Sequence, residues 1–302
     1  MIPQFPKFKK LELSDKKDVE EFTLKYPPYS DHNFAGTWSW DVKDEMQISK
    51  LNNNYVIRFI NYITGEPFYT FLGETKVNET AKELLEFSIK EKIKPQLELI
   101  PEEVAQKLDT KIFKILEDKD NFDYIYNILE LKDYAGGKFN KKRNRVSVFI
   151  KKYPKAEIRT LNLADLNIQQ EILNLYHKWS KDKLKDDMYF EIHKELIVLK
   201  NFFSTKDIFN ILSVGIFVEE ELIAFSIDEI MPSDYVVSHV VKTNHNFPGV
   251  HEFLMQKNAE ILFSMNKHFL NQEQDLGIES LRQAKSRFRP IFFLKKYIIS
   301  YI

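Results

Sequence analysis

The 302-residue chain contains no cysteine, which removes disulfides, thiolate nucleophiles and cysteine-ligated metals and fits a reducing compartment. Glycine is scarce. Eight glycines leave little room for a phosphate-cradling loop, and no Walker loop, dinucleotide fingerprint or nucleophile elbow occurs. Kinase, NTPase and dehydrogenase chemistries lose their usual support. Long apolar runs are missing too: the best, Ile208 to Val218, is interrupted by Asn210, Ser213 and Gly215 and is too short to cross hydrocarbon. The opening MIPQFPKFKKLELSD lacks the uninterrupted apolar core of a secretory leader, so a cytoplasmic location is expected. There is almost no net charge. Lys and Arg total 44 against 45 Asp and Glu, so a nucleic acid or an anionic membrane can be met only through a local patch.

Apolar and aromatic residues are plentiful. They make up 43% of the chain, with 25 Phe and 14 Tyr, enough for a sizeable core, and the length favours two domains over one. Helix and strand signals alternate twice. In the first pass Lys16 to Lys25 reads as a helix after a Ser14 cap, Tyr55 to Tyr62 and Pro67 to Leu72 as strands joined by a turn at Gly65, and Glu79 to Lys90 as a helix capped by Asn78. In the second, helices Ile168 to Lys183 and Tyr189 to Ser204 precede strands Leu212 to Val218, Leu222 to Ile230 and Tyr235 to Lys242, then a helix from Glu252 to Met265. The sharpest shift in composition lies between the passes: residues 136–156 hold eight basic residues and no acidic one. The boundary is placed at the Gly136-Gly137 pair, giving domains 1–135 and 136–302.

Three stretches carry candidate chemistry. In the basic segment Lys138 to Lys152, helical spacing turns Lys141 and Arg145 away from the apolar face while Lys142 and Arg143 flank it, a pattern suited to phosphate oxygens and equally to a solvated helix face. In NQEQDLGIESLRQAKSRFRP, residues 271–290, a strand ends near Glu273 and a helix begins at Gly277. Asp275, Glu279, Arg282 and Arg289 then share a face beside Lys285, as in a salt-bridged surface helix. Glu273 and Asp275 sit where acid and base groups are often found. The third stretch is the strand holding His239 and Lys242, near the helix that Gly249 opens, with Trp179 as a pocket-lining candidate; core placement is the alternative for both His239 and Trp179. The histidine spacing matches no zinc motif, and no metal site is expected.

The segments YPPYSDHNFAGTWSWD (Tyr26 to Asp41), GGKFNKKRNRVSVF (Gly136 to Phe149) and residues 271–290 resemble the bacterial family grouped with the C-terminal domain of phosphatidylglycerol lysyltransferase. The resemblance spans nearly the whole chain. It implies an α/β (α+β) fold of two tandem GNAT-like acyltransferase domains, mixed central sheets flanked by helices, with relatives among Fem-type ligases. It also implies aminoacyl transfer from aminoacyl-tRNA to an amine or hydroxyl. Lys141, Lys142, Arg143 and Asn144 fall on one family signature, and Asn271, Glu273, Asp275, Gly277, Arg282 and Lys285 on the other. Val241 and Arg287 depart from it, standing where a glutamate and a serine are expected.

The resulting assignment gives Glu273, Asp275 and His239 catalytic roles. Lys141, Lys142, Arg143, Asn144, Trp179, Lys242, Asn271, Arg282 and Lys285 bind substrate, and no cofactor is needed beyond the donor. Expected partners are tRNA and, peripherally, an anionic membrane. The turn HNFPGVHEF, with one glycine and no Arg or Lys, disfavours ordinary acetyl-CoA, although an acyl-CoA donor or a degenerate anion-binding GNAT pair remains an alternative.

Overall fold

The computed structural model describes residues 1–183, 189–205 and 207–302. The chain divides into two compact units: unit 1 is Met1–Tyr124, Glu273–Ser286 and Phe292–Ile302, and unit 2 is Ile125–Gln272 and Arg287–Ile291. The division therefore falls at Tyr124 and not at the glycine pair, and two late segments return to the first unit. Strand pairing is the reason. The strand Lys296–Tyr301 lies antiparallel between Leu97–Pro101 and Phe113–Glu117, so a single linear cut separates strands of one sheet. The glycine pair marks a turn instead, with Gly136 at φ +82°.

In unit 1 the strands run in the order Lys9–Lys10, Gln47–Leu51, Asn54–Ile60, Pro67–Leu72, Leu97–Pro101, Lys296–Tyr301, Phe113–Glu117. Pro67–Leu72 and Leu97–Pro101 form the parallel pair, joined at one register position, Tyr69 opposite Leu97. The helix Val77–Lys90 connects them and buries Val77, Ala81, Leu84, Leu85 and Ser88 along one stripe, with Leu72, Leu97, Ile100 and Ile299 in the same core. Two expected caps differ. Lys76, at φ +46°, precedes this helix while Asn78 accepts from the Asp109 amide at 2.7 Å, and Asp15 rather than Ser14 precedes the helix Lys16–Thr23. The Gly65 turn holds, at φ +73°.

Unit 2 carries the antiparallel run Glu157–Thr160, Ile211–Val218, Glu221–Ile230 and Tyr235–Thr243, followed by a parallel neighbour, Phe269–Asn271, and then the end of Asp123–Asn127. Glu219 and Glu220 both take positive φ, the conformation of a tight two-residue hairpin turn. The helix Val250–Ser264 packs on Ile128–Asp133, Asn140–Lys152 and the first two long strands, and Leu166–Lys183 packs on Glu221–Ile230 and Tyr235–Thr243. Among the described residues no helix is long and apolar enough to cross a membrane.

Gly249, at φ +88°, sets the packing of the basic helix, since a Cβ there would come within 2.2 Å of the Arg145 carbonyl oxygen and 3.2 Å of Phe149 Cβ. Gly249→Ala is expected to cost about 3 kcal/mol or more through positive-φ strain and the clash, read as a shift in the urea midpoint. An unchanged midpoint contradicts this packing.

Candidate functional site

In unit 1, segments distant in sequence meet around Lys296. Its ammonium donates to the Asp31 carboxylate, to Asp123 Oδ1 at 2.7 Å and to Ser30 Oγ at 3.0 Å, and all four residues are buried. Asp123 also accepts from the Ser30 amide at 2.8 Å, and Gln274 Nε2 donates to Asp31 at 3.1 Å. The local fold explains the geometry. Asn33 caps the helix Phe34–Trp40 by accepting from the Gly36 amide at 2.7 Å, which turns the chain just after Ser30 and Asp31, and Lys296 opens the C-terminal strand.

One ammonium cannot neutralise two carboxylates. Burial pushes the Asp31 carboxyl up to about 6, with Lys296 opposing the rise and Asp123 adding to it. Burial also opposes the charge of Lys296, but Asp123 and Asp31 outweigh it and hold the amine above its ordinary range. His32 beside this group is neutral: burial pushes its imidazole down to about 4, Nε2 lies 3.3 Å from the Leu99 carbonyl oxygen, and Nδ1 has no hydrogen-bond partner among the described residues.

Asp275, expected as a catalytic group, is instead saturated. It accepts from the Tyr124 hydroxyl at 2.6 Å, from Arg282 Nε and Nη2 at 3.0 Å each, and from the Gly277 amide at 2.9 Å. Although burial opposes ionisation, these donors hold the carboxyl below its ordinary range, so it serves as a fixed anion and a weak base. Arg282 also reaches Asp120 at 2.6 Å, and Glu273, Leu276 and Gly277 all take positive φ. The predicted shared face of Asp275 and Arg282 is thus a clamp on a tight turn. Lys285 emerges from that turn with Nζ donating to the Gln274 carbonyl at 2.5 Å and lying 5.9 Å from the Tyr124 ring centre. Burial pushes its amine down to about 8, which puts an exchangeable proton near neutral pH.

In unit 2 the basic signature splits. Lys142 is buried, 3.2 Å from Glu252 Oε1 and 3.5 Å from the Phe288 ring centre, and burial lowers its pKa. Arg143 donates to the carbonyls of Tyr134 and Gly136 and to Asn140, satisfying main-chain oxygens where a helix ends. The two cations expected to reach a phosphate are therefore engaged by the protein, whereas Lys141 and Asn144 are exposed. His239 is buried against Phe202, with rings 5.0 Å apart and Nε2 3.4 Å from Glu229, the setting of a core histidine. Lys242 and Trp179 do come together: the ammonium lies 4.0 Å from the indole centre and 2.6 Å from Glu195. Asn271 is buried at the end of its short strand, opposite Val237. Sequence reading assigned no role to Ser30, Asp31, Asp123, Gln274 or Lys296, although Ser30, Asp31 and Gln274 lie inside quoted signatures.

The mixed sheets flanked by helices are those of a tandem GNAT-type fold. A tandem GNAT protein from the clavulanic acid biosynthesis pathway shares it with TM-score 0.50 at 7% identity, over 98% of each chain. More specifically, the chain belongs to the family described as phosphatidylglycerol lysyltransferase, C-terminal, which matches residues 24–300. A conserved protein of unknown function from Bacteroides thetaiotaomicron is similar with TM-score 0.85 at 24% identity, covering 100% of both chains. L-PGS from Bacillus licheniformis is similar with TM-score 0.63 at 10% identity, over 99% of this chain and 93% of that one. The chain spans 61% of the length of the curated relative it matches, an uncharacterised protein of Mycoplasmoides gallisepticum, 24% identical over 202 residues, 66% of this chain.

The Lys285 amine keeps its proton in the unfolded chain up to about 10.5 but loses it in the fold above about 8. Between those values the unfolded state binds the extra proton, so stability rises with pH. Urea midpoints measured from pH 8 to 10.5 are expected to climb in the wild type more than in Lys285→Met. Parallel curves contradict the assignment.

Proposed function

We propose that the protein moves an aminoacyl group from aminoacyl-tRNA to an amine or hydroxyl acceptor. The ester bond to the tRNA ribose breaks, the new bond forms at the acceptor, and the acceptor's proton ends on the released ribose oxygen. Family membership supports acyl transfer of this type. The donor choice rests on one observation, the closed turn at Gly249.

An acyl-CoA enzyme of GNAT type holds its pyrophosphate on backbone amides of a glycine-rich turn at a helix N-terminus. Here the Arg145 carbonyl packs onto Gly249, and Glu252 adds a carboxylate in the first helical turn. The Arg145 carbonyl oxygen repels pyrophosphate oxygens, while the Glu252 carboxylate is already paired with Lys142 and Arg145. The same basic helix exposes Lys141, Arg145, Lys151 and Lys152, cations suited to a phosphate backbone. In the same unit, Trp179 with Lys242 offers a stacking face for the tRNA end.

Filter binding of total tRNA across a salt series tests this. Neutralising about four phosphates weakens binding roughly 50- to 150-fold between 50 and 200 mM salt, and a Lys141→Glu, Arg145→Glu variant shows a shallower slope. Coenzyme A thioesters are expected to leave the thermal midpoint unchanged. Absent tRNA retention, stabilisation by coenzyme A, or flotation with anionic vesicles in place of tRNA binding contradicts the proposal.

A further inference from the structure

Besides His32 Nδ1 in unit 1, three buried side-chain atoms of unit 2 have no hydrogen-bond partner among the described residues: Asp228 Oδ1, Ser238 Oγ and Asn258 Oδ1. These three belong to one cluster, and none has a part in the transfer proposed above. The sheet brings them together. Between Glu221–Ile230 and Tyr235–Thr243 the pairing skips His239, so that Ile227 faces Val240 and Asp228 faces Ser238. This slip of one residue turns Ser238 onto the Asp228 side of the sheet. Ser226, two residues before Asp228, shares that side and donates to Asp228 Oδ2 at 2.6 Å. Asn258 comes from the helix Val250–Ser264, which packs on Glu221–Ile230, and its Nδ2 donates to the same oxygen at 2.9 Å. Both donors thus sit on Oδ2. All four side chains are buried.

Burial raises the Asp228 carboxyl, while Ser226, Ser238 and Asn258 oppose the rise, so Ser238 faces the carboxylate without closing a hydrogen bond to it. With its amide nitrogen committed to Asp228, Asn258 presents its carbonyl oxygen. The unpartnered set is therefore two acceptors and one hydroxyl. One water matches it: the two water protons go to Asp228 Oδ1 and Asn258 Oδ1, and a lone pair takes the Ser238 proton. A hard cation demands roughly six or more oxygens, about twice what the cluster offers. Among the described residues no group of three or more His, Cys, Asp and Glu could hold a metal ion. His32 Nδ1 stands alone, and a single partner does not hold a buried water.

We propose that unit 2 has a built site for one internal water, held by Asp228 Oδ1, Asn258 Oδ1 and Ser238 Oγ. This water ties the helix Val250–Ser264 to the two strands beneath it.

High-resolution crystal structures of the full chain, grown with either sodium or choline as the cation, test the proposal without any acyl donor or tRNA. Both are expected to show one solvent peak within about 2.5–3.0 Å of all three oxygens. In solution, oxygen-17 relaxation dispersion is expected to count one long-lived water fewer in Ser238→Val and in Asn258→Leu than in the wild type. Thermal midpoints check that each variant folds, and if neither does, the crystal structures carry the test. A peak present with sodium and lost with choline assigns the site to a cation and overturns the proposal. No peak, with Asp228 Oδ1 in direct hydrogen-bond contact with Asn258 Oδ1, shows a protonated carboxyl in place of water and overturns it too. So does an unchanged count of long-lived waters in a folded variant.

Discussion

The buried ammonium of Lys296 between Asp31 and Asp123 is the interaction on which unit 1 depends. A charge removed from water is tolerated only when partners surround it, and here they come from three other segments: the turn before the first capped helix, the end of the first long stretch, and Gln274, whose Oε1 accepts from the ammonium at 3.4 Å. The strand that carries Lys296 is also the one that completes the sheet between Leu97–Pro101 and Phe113–Glu117. Electrostatic satisfaction and sheet closure thus fall on the same residue. Burial raises the Asp31 carboxyl, Lys296 opposes the rise, and the second carboxylate that the one cation serves, Asp123, adds to it.

A second constraint shapes unit 2. At Gly249 the absence of a side chain lets the main chain of the basic helix approach the start of Val250–Ser264. Glu252 then draws Lys142 inward and leaves Arg145, with its side chain 63% exposed, touching the same carboxylate from the solvent side. Burying one cation and exposing its neighbours converts a run of charge into a packed seam with a basic outer surface. This division explains why Lys142 and Arg143 belong to the scaffold while Lys141 faces solvent.

Much of the fold was legible because it is local. The stripe Ala81, Leu84, Leu85 and Ser88, the Gly65 turn and the paired strands around Glu219-Glu220 follow from periodicity and turn chemistry. The unit boundary was not, because the return of Lys296–Tyr301 to the first sheet is a long-range pairing that leaves no local mark. The site was legible in part. Helical spacing put Asp275 and Arg282 on one face, but the helix starts only at Glu279, and counting charges could not tell that a tight turn, Tyr124 and the Gly277 amide would complete the shell and make Asp275 a fixed anion. His239 read as a strand histidine with two readings, and its stacking on Phe202 needed a helix from elsewhere in the chain. Lys296, one of two adjacent lysines in FFLKKY, looks in sequence like any surface lysine, and only burial separates it from Lys295.

A double-mutant cycle on Asp31→Asn and Lys296→Met, read by urea unfolding, measures the central interaction most directly. Removing the lysine alone should cost about 3–5 kcal/mol, and the coupling between the two positions should reach at least about 2 kcal/mol. Additive effects within about 0.5 kcal/mol would contradict the view that this buried ion pair holds unit 1 together.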